Sequence, residues 1–486
     1  MIRRWMLGNF ILASLLPLAA PRARGQTAPP ATGVMTYGTP ASGTQTARPS
    51  PTQNPFAGSV PAKLEPGVLN ISLANAIERG LRQNLGALLS SEDIRSARGE
   101  RWTQLSKLLP NVTTKSSAVE SQIDLAIFGL TLPGIPTVVG PFSYFESRAY
   151  LSQNLLNWKY INQARSASQG VKSTEYSYKN ARDLVVLAVG FTYLQGIADE
   201  ARIETATAQV KTAQALYDQA SDQVKAGTSP AIDALRARVE LQTRQQQLIQ
   251  ARNDFAIQKL TIARVIGLAP GQQFELADKS PYAPFWEMPL EDALKRAYAS
   301  RQDFQAALAD LHAAEYSRKA AVAGYYPTLS FDADYGAAGF HPSTSSHGVM
   351  DVRGTLTIPI FQGNSVHGDI LKADARLAQA HEQLENLRAQ IDADVRTAFF
   401  NLQSSAEQVA VAQSNVGLAE ETLRQSSDRF AAGVTDTVEV VQAQEAVASA
   451  HEQYISSLYA YNYAKISLAR ALGLAEEGVK EFFKGK

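Results

Sequence analysis

Residues 222–233 read DQVKAGTSPAID, and 206 positions later residues 428–439 read DRFAAGVTDTVE. Each stretch sets a glycine (Gly227, Gly433) between two heptad-patterned runs and an acid (Asp233, Glu439) six residues further on. Glycine tolerates the left-handed conformation that closes a helix, so each stretch is read as a sharp reversal between helices. The 206 offset holds without a gap from Val189/Val395 to Gly267/Gly473, and KLTIAR at 259–264 is echoed by KISLAR at 465–470. Fixed spacing over that length predicts a duplicated helical hairpin.

Upstream of each hairpin the plan repeats. SLANAI at 72–77 opens a helix predicted to run to about Leu108, before Pro110; PLEDAL at 289–294 opens its partner, which stops before Pro327. Behind each proline come alternating segments. Leu329, Phe331, Ala333 and Tyr335 alternate with Ser330, Asp332 and Asp334; Met350 to Ile360 alternate with Asp351, Arg353 and Thr355. In the first copy Val119, Ser121, Ile123, Leu125 and Ile127 form one face, and Phe145, Ser147, Ala149 and Leu151 stand opposite Glu146, Arg148 and Tyr150. Strict alternation predicts half-buried strands. Each copy thus holds one β-hairpin, about 110–156 and 327–361.

Long helices are predicted over about 159–226 and 367–432, and shorter ones over about 229–266 and 436–472. At 1.5 Å per residue the long helices span roughly 100 Å and the short ones roughly 55 Å. Two short helices end to end match one long one, which predicts a two-helix-wide slab for each copy. Seam residues at 3-4 spacing (Val210, Ala213, Tyr217, Ala220, Val224; Val416, Ala419, Leu423, Ser426, Phe430) suit close helix packing.

Composition narrows the function. The 486 residues carry zero formal net charge, so no nucleic-acid footprint is present, and there is no cysteine, which excludes thiol chemistry and disulfides. Arg3 and Arg4, the apolar run 7–20 and Ala23-Arg24-Gly25 before Gln26 read as a secretory signal over 1–25, with an uncleaved anchor as the alternative. Without it the chain holds 42 basic and 46 acidic residues, a net of −4. No later stretch reads as a spanning helix of ~18 uncharged apolar residues. Residues 26–68, rich in Pro, Thr, Ser, Ala and Gln, read as a flexible leader or as an arm that wraps a neighbour.

Four strands cannot close a barrel, and an open sheet cannot sit in lipid. If the strands cross a membrane, the protein must oligomerise, and three chains would supply twelve strands. A soluble sheet beside a coiled coil is the alternative; aromatics near the strand ends (Phe142, Tyr144, Phe145, Tyr325, Tyr326) favour a membrane girdle.

From about Asn70 to Leu474 the chain resembles the TolC-like outer-membrane efflux proteins. The resemblance rests on the order and spacing of the SLxxAI helix start and its LxxAL repeat, the Leu-Leu-Pro and Tyr-Tyr-Pro strand entries, and LTIPIF at 356–361. The two glycine hairpins and ARALGL at 469–474 complete it. It implies a mixed α+β membrane protein: a homotrimer whose 12-stranded β-barrel in outer-membrane lipid continues into a periplasmic α-helical barrel. It further implies an exit duct of a tripartite efflux or type I secretion system, served by a periplasmic adaptor (membrane fusion) protein and an inner-membrane transporter. By the same resemblance Gly227, Thr228, Ser229, Pro230, Gly433, Val434 and Thr435 form the adaptor-docking tips, and Asp233 and Glu439, with Asp436 and Phe430, mark the periplasmic aperture. Relatives that tie the mouth with a Tyr and an Arg differ here, since Phe430 and Thr435 stand at those positions.

The acids have a plainer reading. Asp436 can cap a helix with Glu439 closing a capping box, and Ser229-Pro230 can serve as N-cap and N1 ahead of Asp233. Capping alone and capping with a pore-facing role both remain open; a threefold would gather six carboxylates, attractive to cations. The six histidines (312, 341, 347, 367, 381, 451) show no metal-ligand spacing, and no nucleophile elbow, phosphate loop or dinucleotide motif occurs. The expectation is a channel rather than an enzyme, with no cofactor. A periplasmic coiled-coil adaptor or scaffold bridging the two membranes is the competing reading. The expected plan is a signal peptide (1–25), leader (26–68), first repeat (69–268), linker (269–288), second repeat (289–474) and tail (475–486).

Overall fold

The computed structural model describes residues 58–129, 133–134, 136–278, 288–340, 346–476 and 478. The predicted signal, the leader up to residue 57, residues 279–287 of the linker, nearly all of the tail and His341 lie outside the described residues.

In chain order the elements are β1 (Leu69–Ile71), α1 (Leu73–Gln83), α2 (Leu85–Ser106), β2 (Asn111–Asp124), β3 (Val138–Leu156), α3 (Trp158–Lys225) and α4 (Ala231–Ile266). Then follow β4 (Phe274–Leu276), α5 (Leu290–Ser300), α6 (Gln302–Val322), β5 (Thr328–Gly339), β6 (Ser346–Thr357), α7 (Ser365–Ala431) and α8 (Thr437–Ala471). The 68 and 67 residues of α3 and α7 agree with the predicted long helices, and the two hairpins fall where alternation placed them.

Four local readings are corrected. The helix expected over 72–108 is two helices, because Asn84 adopts an extended conformation and caps both: its N–H donates to Gly80, and its side chain accepts from the amides of Gly86 and Ala87. Arg301 breaks the repeat partner between α5 and α6 at an extended residue whose N–H donates to the Ala297 carbonyl, without a side-chain cap on α6. Leu125–Phe128 is a 3-10 turn, not strand. Residues 58–68 are a strap rather than free leader: Val60 and Ala62 donate to the carbonyls of Gln83 and Gly267, and Leu85 donates back to Gly58. The strap leads into β1, which pairs in parallel with β4.

The predicted separate slabs are also replaced. Near the strands the helices lie in the order α2, α3, α6, α7, and toward the tips in the order α4, α3, α8, α7. The second copy therefore interleaves with the first; Ser166 of α3 donates to the Ala313 carbonyl of α6 at 2.8 Å. Each of the two long helices needs neighbours on both flanks to bury its stripes, and one copy alone supplies too few.

The core sits where the rows exchange partners. Ile77, Val186, Val189, Tyr193, Ile262 and Ile266 make one buried cluster, and Ile391, Val395, Tyr461 and Leu468 anchor a second. Gly80 and Gly190 let helices approach there, since a Cβ would meet Val189 or Ile466 at 2.6 and 2.7 Å. By composition α3 does contain a stretch apolar enough to cross a membrane, at a mean hydropathy of 1.3, but 61% of it is buried, and Val185–Ile197 lies in this core.

Candidate functional site

The two tips are built alike. The Gly227 N–H donates to Val224 and the Thr228 N–H to Gln223; the Gly433 N–H donates to Phe430 and the Val434 N–H to Arg429. With φ of 72° and 70° at the glycines, both are Schellman closures, which satisfy the last carbonyls of α3 and α7. Val434 is 69% exposed, and Thr228 stands exposed beside Gly227.

The acids part company in this frame. Asp233 is 5% exposed and accepts from the Ser229 hydroxyl at 2.7 Å, with Arg236 at 3.7 Å. Pro230, not Ser229, holds the N-cap position of α4. Asp436 does cap α8, accepting from the Val438 N–H at 3.1 Å. Glu439 turns to the Thr435 hydroxyl, to Ser426 at 3.4 Å and to Arg429 at 3.5 Å, rather than closing a capping box on Asp436. Asp436 is exposed and Glu439 half-buried. Phe430 is 3% exposed and packs among Leu216 and Ala220 of α3, Ala237 of α4 and Val440 of α8, so its ring ties both hairpins together behind the tips.

Sequence reasoning missed two buried charge clusters. Arg244 lies under the surface between α4 and α8, paired with Glu240 at 2.6 Å and Glu445 at 2.5 Å. Its signal was available: Ala237, Leu241 and Arg244 are consecutive buried seam positions, and a charge at a seam needs partners. The second cluster joins four helices midway. Arg301 pairs with Asp303 at 2.7 Å and Asp394 at 2.9 Å, and Arg470 approaches Asp303 at 3.6 Å and donates to Asn180. Asp183, 6% exposed, faces this cluster. Burial pushes its carboxyl up to about 6 against the pull of Arg470.

At the other end β2, β3, β5 and β6 form one antiparallel sheet in that order. Register sorts its residues into two faces. Val112, Leu151, Ala333 and Val352 line up in one row, and Thr114, Ala149, Tyr335 and Met350 in the next. Between them on the opposite face runs Thr113, Tyr150, Asp334 and Asp351, followed by Lys115, Arg148, Gly336 and Val349. On the polar face Arg148 pairs with Glu146 and with Asp334 at 3.0 Å. On the other, Val112, Tyr335, Met350 and Val352 are 63–74% exposed. A sheet that gathers its charges on one face and presents exposed apolar side chains on the other is suited to lipid on the apolar side and water on the charged side.

Both ends of the assembly are open. The edge strands are β2 and β6, and the helix rows end in α2 or α4 on one side and α7 on the other. Those edge helices carry exposed apolar side chains at heptad intervals: Ile232, Leu235, Val239, Ile249 and Leu260 on α4, and Phe400, Val411 and Leu418 on α7. Among the described residues no group of His, Asp and Glu is arranged to hold a metal ion.

The comparisons with known proteins agree with this geometry. A family model described as "Outer membrane efflux protein" matches residues 93–268 and 293–474. The chain is 22% identical over 440 residues to outer membrane protein TolC of Escherichia coli K12, covering 85% of this chain and 87% of that one. It is 24% identical over 351 residues to the alkaline protease secretion protein AprF of Pseudomonas aeruginosa, covering 69% and 71%. The crystal structure of the outer membrane protein VceC of Vibrio cholerae superposes with a TM-score of 0.72 at 18% identity, over 82% of this chain and 96% of that chain. By its matched segments, its fold and its two-faced sheet, this chain belongs to the outer membrane efflux protein family.

Proposed function

We propose that this outer-membrane channel protein is the passive exit duct of a tripartite efflux or type I secretion system, working as a homotrimer. The carrying observation is the pair of open edges. An unpaired strand in hydrocarbon leaves backbone groups unsatisfied at a cost of several kcal/mol each, so β2 and β6 require partners. The same lateral step that joins β6 of one copy to β2 of the next brings α7 against α4, the helices with free apolar stripes. Three copies give the twelve strands that the resemblance implies.

The polar sheet face then lines the barrel, and the row of helices lines a tunnel below it. Gly227, Thr228, Ser229 and Pro230, with Gly433, Val434 and Thr435, dock a periplasmic adaptor, which links the duct to an inner-membrane transporter that supplies the energy. Asp436 and Glu439 are the acids placed to face the aperture; Asp233 supports the first tip from within. The two repeats, 69–268 and 289–474, arose by duplication.

The test is extraction and conductance. The protein should leave outer membranes only with detergent, run as a trimer until heated, and form channels in planar bilayers. A monomer released by salt alone would refute the reading and favour a periplasmic scaffold.

A further inference from the structure

The first hairpin outreaches the second. The last four-strand row is Ala118, Phe145, Gly339 and Ser346; beyond it β2 and β3 continue alone, from Val119 opposite Tyr144 to Asp124 opposite Val138. At about 3.4 Å per residue this two-stranded ribbon rises about 20 Å above the sheet. It ends in the 3-10 turn, which is fixed at both ends: the Asp124 carboxylate accepts from the Ala126 N–H at 3.0 Å, and Gly129, at φ 70°, donates back to Ala126.

This ordered tip is apolar. Ile127 is 79% and Phe128 69% exposed, and below them Val119 and Ile123 are 48% and 38% exposed. Register decides which way the ribbon's side chains point. Val119 and Tyr144 lie two residues beyond Ser117 and Glu146 on the same face as Lys115 and Arg148. The polar face thus turns apolar and aromatic at its outer end.

Lipid does not reach it. The apolar face runs along β6 from Leu356 through Val352 and Met350 to Ser346, about 34 Å of strand, which at the usual barrel tilt covers roughly the 25 Å of an outer-membrane hydrocarbon layer. The β2–β3 ladder also breaks register between Ser121 and Ile123, opposite Gly140, where φ is 119° and a Cβ would stand 2.8 Å from the Ser121 carbonyl. Bulges of this kind bend strands at barrel rims.

We propose that the ribbons of neighbouring copies converge over the outer mouth and pack Ile123, Ile127 and Phe128 against one another, forming an apolar outer gate. The occupant of each ribbon's apolar surface is the same surface of a second copy. The argument is continuity: these residues prolong the wall that encloses the conduit, and the ring places identical ribbons around one axis. Such a constriction closes to ions by dewetting, independently of the acids at the far tips. The gate rests on the trimeric channel reading given above.

The absence of cysteine makes the test clean. In intact cells F128C should be joined between chains by a short bis-maleimide, whereas S143C, on the other face of the ribbon, should not. The I127S/F128S channel should conduct about twofold or more above the parent in planar bilayers, with an unchanged unheated trimer. Free labelling of F128C by a membrane-impermeant maleimide without cross-linking, or an unaltered conductance, overturns the gate. Protection of F128C without cross-linking points to a foreign partner and also overturns it. Loss of the trimer in the parent protein would refute the channel reading itself, and the gate with it.

Discussion

At the scale of single residues, the buried charges separate what stabilises the fold from what faces the conduit. The folded chain holds the Asp183 proton up to about 6, whereas an ordinary aspartate releases it near 3.8. Between those values the folded state binds more protons than the unfolded one, so this residue's contribution to stability falls as pH rises. Asp183→Asn should therefore stabilise the detergent-solubilised protein by up to about 3 kcal/mol at pH 7 and by little below pH 4. Thermal unfolding of both proteins across that range checks it; parallel curves would be the wrong outcome. Phe430 is predicted to act as an anchor. Phe430→Ala should cost about 3–5 kcal/mol and expose residues 222–236 and 428–440 to protease, while Phe430→Leu should keep them protected. Equal cleavage of the parent and both variants would dismiss the anchor. Heptad spacing had marked Phe430 as a seam residue. That its ring spans both hairpins depends on α3 and α4 lying beside it, which no local pattern encodes.

At the scale of elements, periodicity and punctuation carried most of the fold. Helix lengths, the two tips and both strand hairpins follow from apolar spacing bounded by Pro110, Pro327, Gly227 and Gly433. The breaks at Asn84 and Arg301 escaped because neither is a glycine or proline; that the Asn84 side chain caps one helix while its backbone caps another, and that the Arg301 backbone closes α5, is visible only in three dimensions. The strap over 58–68 escaped because a segment holding Pro61, Pro66 and Gly67 looks disordered unless the carbonyls it satisfies, at Gln83 and Gly267, are known. The free stripes on the edge helices make an element-scale prediction. Leu235→Asp with Val239→Asp on α4 places charges at positions already 61–63% exposed in one chain, so monomer folding should be spared. Trimer yield on unheated gels should fall about tenfold or more, since each charge must be desolvated at the interface. Normal trimers would remove α4 from the interface.

At the scale of the whole molecule, alternating hairpins imply an oligomer if they cross a membrane, the family resemblance supplies the trimer proposed above, and the residue types at the two tips were legible. Their orientation was not: Asp233 and Glu439 occupy matching places in the repeat, yet one is 5% exposed and the other half-buried. Both acids accept from the hydroxyl four residues back, Ser229 or Thr435; the difference lies in the arginine, Arg236 one turn on along α4 for Asp233 and Arg429 at the end of α7, across the second tip, for Glu439. Replacing Asp436 and Glu439 together by Ala should weaken block by multivalent cations and lower cation selectivity. Asp233→Ala should leave selectivity alone and reduce stability instead. Equal shifts in reversal potential for both variants would show that Asp233 too faces the aqueous path.

The interleaving of α6 and α8 against α3 carries a further consequence for assembly. Within one chain, the long helix of the first repeat receives the short helices of the second, and β3 receives β5. In the proposed trimer, ring closure would ask α7 and β6 to receive the equivalent elements of the next copy in the same way. The junction between repeats is thus a covalently tethered rehearsal of the junction between subunits. In the proposed ring every subunit would fold around one finished example of the contact it must then make with a stranger, and substitutions confined to either junction would separate failure to fold from failure to assemble.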